Sequence, residues 1–206
     1  MSDAYDYKYD CEDDPYTYPG TQILKNKFNI RDARVLSALE RQITEVRILA
    51  PDEFGLPRGK FDLKHLQAFH KYLFEDIYDW AGNIRLHGFL SKGNSIFCAA
   101  EYIIPYANSV FRKMHTERFR DMNQDLFAER MAYYLSEVNA IHPFREGNGR
   151  ATRLFFEAFA RTNGWKLALH LIPHDALVHA MIQSMFGQTD SLADLLKIHA
   201  VPLNQD

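Results

Sequence analysis

Apolar residues return at intervals of three and four between Arg31 and Leu49, at Val35, Leu36, Leu39, Ile43 and Val46, until Pro51 stops the pattern. That period predicts a helix. A second helix is predicted to start behind Asp62, whose carboxylate can hold unpaired N–H groups. It runs through Leu63, Leu66, Phe69, Leu73, Phe74 and Ile77 and ends at Gly82. From Asn83 to Ala99 the helical period fails, because Gly88, Gly93 and Asn94 punctuate the β-formers Ile84, Leu86, Phe89, Ile96 and Phe97; a short hairpin or ordered flap is expected there. Helical spacing resumes over Glu101 to Glu117, with Pro105 marking a kink or a late start, and again over Asp125 to Ile141 behind an Asn123 cap. Arg150 to Thr162 aligns Leu154, Phe155, Ala158 and Phe159 and closes at Asn163-Gly164, and shorter helices are expected over Asp175 to Phe186 and Leu192 to His199. The fold class is therefore all-α, a helical bundle with one small β flap.

Composition narrows the class of partner more than the fold. A chain of 206 residues that is 47% hydrophobic suits one compact domain with a short appendage. We place the boundary at residue 20. Residues 1–20 set Asp3, Asp6, Asp10, Glu12, Asp13 and Asp14 against Lys8 alone, interleaved with Tyr5, Tyr7, Tyr9, Tyr16 and Tyr18; residues 21–206 form the domain. The arm reads as a solvated segment whose tyrosines partly pack, or as a docking or self-modification segment. A net charge of -3 supplies no broad basic face, so direct nucleic-acid binding is not expected. Cys11 and Cys98 lie far apart, no leader or apolar span is visible, and a reduced cytoplasmic location without membrane insertion is expected.

The chemistry is concentrated in His142-Pro143-Phe144-Arg145-Glu146-Gly147-Asn148-Gly149-Arg150, followed by Arg153. Gly147-Asn148-Gly149 can turn backbone amides toward one anion, and the helix expected behind them adds its free N–H groups and positive dipole end. Arg150 and Arg153, three apart on that helix, can grip successive phosphates with planar donor forks. A carboxylate here repels phosphate unless a cation intervenes, so Glu146 suits Mg²⁺ shared with phosphate oxygens. His142, with an ordinary imidazole pKa near 6.5, suits a general base for an attacking hydroxyl. Phe144 is expected to point inward and pin the loop. Taken singly, a histidine after an apolar helix, a Gly-Asn-Gly turn and an arginine pair are ordinary structural features; their ordered combination points to phosphate chemistry. The other histidines read as structural: His65 and His70 are five apart, and neither H-E-x-x-H nor a zinc spacing occurs.

This stretch resembles the signature loop of the Fic domain family at His142, Phe144, Glu146, Gly147, Asn148, Gly149, Arg150 and Arg153. The resemblance extends to Tyr18-Pro19-Gly20-Thr21, Leu24-Lys25-Asn26, Asp79-Trp80-Ala81-Gly82, Arg85, Lys92-Gly93 and Phe97, over roughly residues 16–200. It implies a Fic helical core and transfer of AMP from MgATP to a protein serine, threonine or tyrosine hydroxyl. It also implies a flap at residues 83–97, with Arg85, Lys92, Gly93 and Phe97, that holds a target segment as an extended strand. Relatives that transfer the γ-phosphate carry Ala-Asn-Lys in the loop, which this sequence does not resemble. Many Fic proteins restrain themselves with a helix bearing Ser or Thr, then Glu four residues on, then Gly or Asn, whose glutamate pairs with the second loop arginine, here Arg153. No such pattern occurs; Ser37-Ala38-Leu39-Glu40 has its glutamate one position early and is followed by Arg41. The resemblance thus implies a bacterial toxin restrained in trans by a small helical antitoxin, with type II topoisomerase ATPase subunits as analogous targets. The competing reading is a nucleotide-binding Fic-fold interaction module without transferase activity. Removal of AMP from a modified protein ranks last, because the glutamate that positions water is missing.

Overall fold

The computed structural model describes residues 7–9, 14–50, 55–86, 88–93 and 95–203. Pro51, Asn94, Cys11 and most of the acidic arm lie outside them. Among the described residues, the helices are α1 (Ala33–Leu49), α2 (Leu63–Phe74), α3 (Ile103–Met114), α4 (Gln124–Ile141), α5 (Asn148–Thr162), α6 (His174–Ser184) and α7 (Asp190–His199). Strands β1 (Tyr7–Tyr9), β2 (Leu90–Lys92) and β3 (Ser95–Ile96) form one antiparallel sheet in that order, and β4 (Trp165–Leu167) pairs with β5 (Ala200–Pro202). The all-α class with a hairpin flap is as the sequence predicts.

α4 is the central element, packed along α3, α5 and α7, and it buries Phe127, Met131, Ala132, Tyr134, Leu135, Val138 and Ile141. α5 lies on α2, where Phe155 meets Phe69 edge to face with centroids 5.7 Å apart. β4 follows the left-handed Gly164 and lays Trp165 flat on Phe127, centroids 4.2 Å apart. The caps expected at Asp62 and Asn123 are made: Asp62 accepts from His65 N–H at 2.9 Å and Asn123 from Leu126 N–H at 2.9 Å. Pro105 falls in the first turn of α3, behind a 3₁₀ turn at Ala100–Tyr102, so its missing N–H costs no helical bond.

One expectation is corrected. α2 stops at Phe74 and not at Gly82: the chain doubles back so that Ile77 and Tyr78 are buried and Tyr78 stacks on Trp80, and Gly82, at φ 84°, donates to a side chain of α2. α1 does not bury its whole apolar stripe, since Val35 and Val46 are 53% and 54% exposed, while Leu36, Glu40 and Thr44 face inward. Polar groups are buried there because a guanidinium of α5 meets them. The base of the arm packs on the domain. Tyr16 and Tyr18 are buried, Tyr16 edge-on to Trp80 at 5.5 Å, with Arg31 over the Tyr18 ring at 4.0 Å. No helix among the described residues is long and apolar enough to cross a membrane.

Candidate active site

α4 ends at His142 in the left-handed region, φ 45° and ψ 64°, with its N–H still bonded to Val138 O at 3.1 Å. A non-glycine residue is held there by Arg85, whose Nε donates to His142 O at 2.9 Å and whose backbone N–H donates to Pro143 O at 2.9 Å. His142 Nδ1 lies 3.0 Å from Asn139 O. A carbonyl only accepts, so Nδ1 carries the proton of the neutral ring and Nε2 keeps the lone pair. The residue is 4% exposed, and Phe97 stacks on the imidazole with centroids 3.6 Å apart. Burial, aided by Arg85 and Lys92 and opposed by the Asn139 carbonyl, lowers its pKa to about 3. The ring is neutral at physiological pH, as a base must be.

The loop after His142 is closed by its own side chains. Asn148 Oδ1 accepts from Phe144 N–H at 2.9 Å and its Nδ2 donates to Phe144 O at 2.8 Å, so the side chain ties the loop to itself while the backbone N–H faces outward from the helix start. Phe144 is buried as expected and stacks on His70, centroids 3.9 Å apart. Gly82 N–H donates to His70 Nδ1 at 2.8 Å, so Nε2 bears the proton and donates to Glu146 O at 2.9 Å. Burial lowers the His70 pKa to about 3 despite that bond. Gly147, at φ 78°, leaves no room for a Cβ, which would sit 2.3 Å from Phe74 Cζ.

At the start of α5, Gly147 N–H donates to Glu146 Oε1 at 2.8 Å and Ala151 N–H makes the first helical bond, to Gly147 O at 3.1 Å. The N–H groups of Asn148, Gly149 and Arg150 have no acceptor among the described residues, which is the open anion end expected of a helix start. Arg153 folds back over it, its Nη1 3.3 Å from the position of a Cβ on Gly149, and pairs with no carboxylate among the described residues. Burial, followed by the charge of Glu40, raises the Glu146 pKa against the pull of Arg150 and the Gly147 N–H. Its second oxygen, Oε2, has no partner among the described residues. No group of three or more His, Cys, Asp or Glu able to hold a metal occurs among the described residues. A single half-buried carboxylate with a spare oxygen beside an anion site fits Mg²⁺ completed by phosphate and water oxygens.

Several expected site residues are placed differently. Arg150 is drawn toward α1: its Nη2 pairs with Glu40 Oε1 at 2.5 Å and lies 3.8 Å from Glu146 Oε1, its Nη1 reaches Thr44 Oγ1 at 3.3 Å, and its guanidinium covers the Phe74 ring at 4.8 Å. Tyr78 hydroxyl donates to the other oxygen of Glu40. Arg85 is 1% exposed and donates to the carbonyls of His142, Gly88 and Cys98, so it braces the loop against the flap. Phe97 is likewise buried, stacked on the His142 ring. Lys92 and Gly93 do belong to the hairpin, Gly93 turning it at φ 58°, and the Lys92 charge acts on both His142 and Glu146. The sequence reading missed Glu40, Thr44, Tyr78 and His70. It also missed Asp14, which binds Arg145 Nη2 at 2.8 Å and Nε at 3.0 Å. The four-residue spacing of Leu36, Glu40 and Thr44 was the available signal for α1.

Residues 60–160 match the Fic/DOC family model. A probable protein adenylyltransferase of Sinorhizobium fredii is 36% identical over 188 residues, 90% of this chain and 95% of that protein. The chain belongs to the Fic/DOC family. The probable protein adenylyltransferase Fic of Escherichia coli is 34% identical over 180 residues, 87% of this chain and 88% of its own. The crystal structure of the BepC protein of Bartonella tribocorum with bound AMPPNP superposes with a TM-score of 0.82 at 24% identity, over 92% of this chain and 97% of that one. At that identity the likeness is one of fold.

The two neutral histidines make a prediction for this Fic domain that is independent of activity. Both folded pKa values lie near 3, below the usual 6.5. Between those values the unfolded chain binds protons that the folded chain refuses. Stability is therefore complete above about pH 6.5 and falls as pH drops, by about 1.4 kcal/mol per pH unit for each ring. Glu146 works the other way, because its raised pKa lets the folded state take up a proton first as pH falls. Urea denaturation at pH 7, 6 and 5 should show decreasing midpoints, with a shallower decline for His70→Gln. A flat profile would mean that the rings are not held neutral.

Proposed function

We propose that this Fic domain moves AMP from MgATP to a hydroxyl of a target protein, with His142 as the base. The chain is a protein adenylyltransferase by class, as its near full-length relatives are. The observation that carries the mechanism is the pairing of His142 Nδ1 with Asn139 O, which leaves Nε2 unprotonated at one end of a loop whose other end is an open helix N-terminus. The N–H groups of residues 148–150 and the Arg153 guanidinium bind the phosphates. The target oxygen attacks the α-phosphorus as Nε2 takes its proton; the bond to the bridging oxygen breaks, diphosphate leaves, and AMP stays on the target. Glu146 would hold the Mg²⁺, which neutralises phosphate charge. The β2–β3 hairpin offers a strand edge to an extended target segment.

The regulatory reading is a cytoplasmic bacterial toxin. No carboxylate among the described residues pairs with Arg153, and no inhibitory helix pattern occurs in the sequence, so a small helical antitoxin would supply the glutamate in trans. The exposed apolar stripe of α1, with Val35, Val46 and Leu49, is a surface that such a helix would cover. Type II topoisomerase ATPase subunits are the first targets to try. Incubation with Mg²⁺, cell extract and ATP labelled at the α- or γ-phosphate decides the reaction. Label from the α position on a protein supports transfer, whereas nucleotide binding with no label on protein supports an interaction module. Arg153→Ala should raise the KM for ATP about tenfold, the scale of one charge-assisted contact, and should blunt inhibition by the antitoxin. An unchanged KM would remove Arg153 from the phosphate site.

A further inference from the structure

The flap is not an open hairpin. Residues 7–9 lie antiparallel to β2, with Tyr7 opposite Lys92, Lys8 opposite Ser91 and Tyr9 opposite Leu90. Leu90 O accepts from Phe97 N–H at 2.9 Å on the β3 side, so pleat alternation turns the polar groups of Ser91 toward β1 and makes Lys8–Ser91 the hydrogen-bonded pair. Backbone pairing of this kind is available to any extended segment. With β1 in place, β2 is the central strand, and of the hairpin itself only β3, two residues long, keeps an outer edge.

The strand is also tied to the active-site loop. Five residues beyond Tyr9, Asp14 Oδ2 accepts from both Nε and Nη2 of Arg145, the residue before Glu146, and the side chains of Arg145 and Asp14 are 5% and 13% exposed. Tyr16 and Tyr18 then bury the base of the arm. So short a tether holds the strand near its edge at an effective concentration of about millimolar. The segment around it, Tyr5 to Asp13, is acidic and tyrosine-bearing, and the Lys92 charge lies on the strand it pairs with.

We propose that residues 7–9 occupy the strand-acceptor edge of the flap in place of a target segment. The partner that edge fits is an extended, acidic, tyrosine-bearing stretch like the arm itself, and a target engages by displacing the arm. This rests on the reading of the flap as the target-binding element. Full-length Lys8→Pro removes the N–H that faces Ser91, whereas Lys8→Ala keeps it. A fluorescein-labelled peptide of residues 2–13, followed by anisotropy, should bind Lys8→Pro at least tenfold more tightly than it binds the unaltered chain or Lys8→Ala. Equal binding by all three, or none by Lys8→Pro, overturns the proposal. In parallel, with α-labelled ATP and limiting cell extract, the initial rate of protein labelling should rise several-fold for Lys8→Pro at an unchanged KM for ATP. An unchanged rate overturns the competition. Absence of label with every chain would sink the transferase reading instead, and the peptide measurement would still decide the strand exchange.

Discussion

His142→Ala is expected to reduce AMP transfer by about a thousandfold or more while ATP still binds, because the imidazole serves the proton and not the phosphates. Label transfer measures the first and calorimetric titration of ATP the second. His142 also holds a left-handed backbone at φ 45°, a conformation that costs a non-glycine residue about 1 kcal/mol. His142→Gly therefore separates the roles: it should be as inactive as His142→Ala yet no less stable, since glycine adopts that conformation freely. With the pKa at about 3, kcat/KM of the unaltered enzyme should show no protonation step near pH 6.5. Unchanged turnover in either variant would remove His142 as the base, and a steep fall in activity between pH 7 and 6 would contradict its neutral burial.

Gly147→Ala is expected to cost about 2–5 kcal/mol of stability and to abolish nucleotide binding. The added methyl group would lie 2.3 Å and 2.4 Å from two atoms of the Phe74 ring, and the backbone would stay at φ 78°. The ring has little room to yield, since Phe74 is fully buried and carries the Arg150 guanidinium on its face. The strain can be relieved only by moving the first turn of α5, where the open N–H groups are. Gly149→Ala is the control, because its Cβ would meet only the mobile end of Arg153 at 3.3 Å. Denaturant midpoints and ATP titrations of the two variants should differ sharply; similar mild effects would show that the loop does not depend on this close approach.

The helices of the core were legible because their signals are local. Asp62 and Asn123 cap where the sequence places them, and the apolar positions of α4 and α5 share faces that need no knowledge of the partner. α1 was legible as a helix, but its inward face was not, because it carries Glu40 and Thr44, whose burial is favourable only once Arg150 of α5 is there to receive them. Arg85 reads as a surface cation for the same reason, until the three carbonyls that surround it are assembled. β4 and β5 are three residues each and too short for a pattern; their pairing joins segments more than 30 positions apart.

By itself, the sequence determined the helical class, the position of the glycine-flanked loop between two helices, and the order of base, carboxylate and arginines within it. Those follow from spacing along one stretch of chain. Tertiary structure alone decided which of the two arginines is committed to α1, which ring nitrogen of His142 keeps its lone pair, that His70 holds the loop from behind, and that residues 7–9 pair with the flap. Each of these depends on a hydrogen-bond partner distant in the chain or on the angle of a turn, and neither is encoded in the spacing of neighbouring residues.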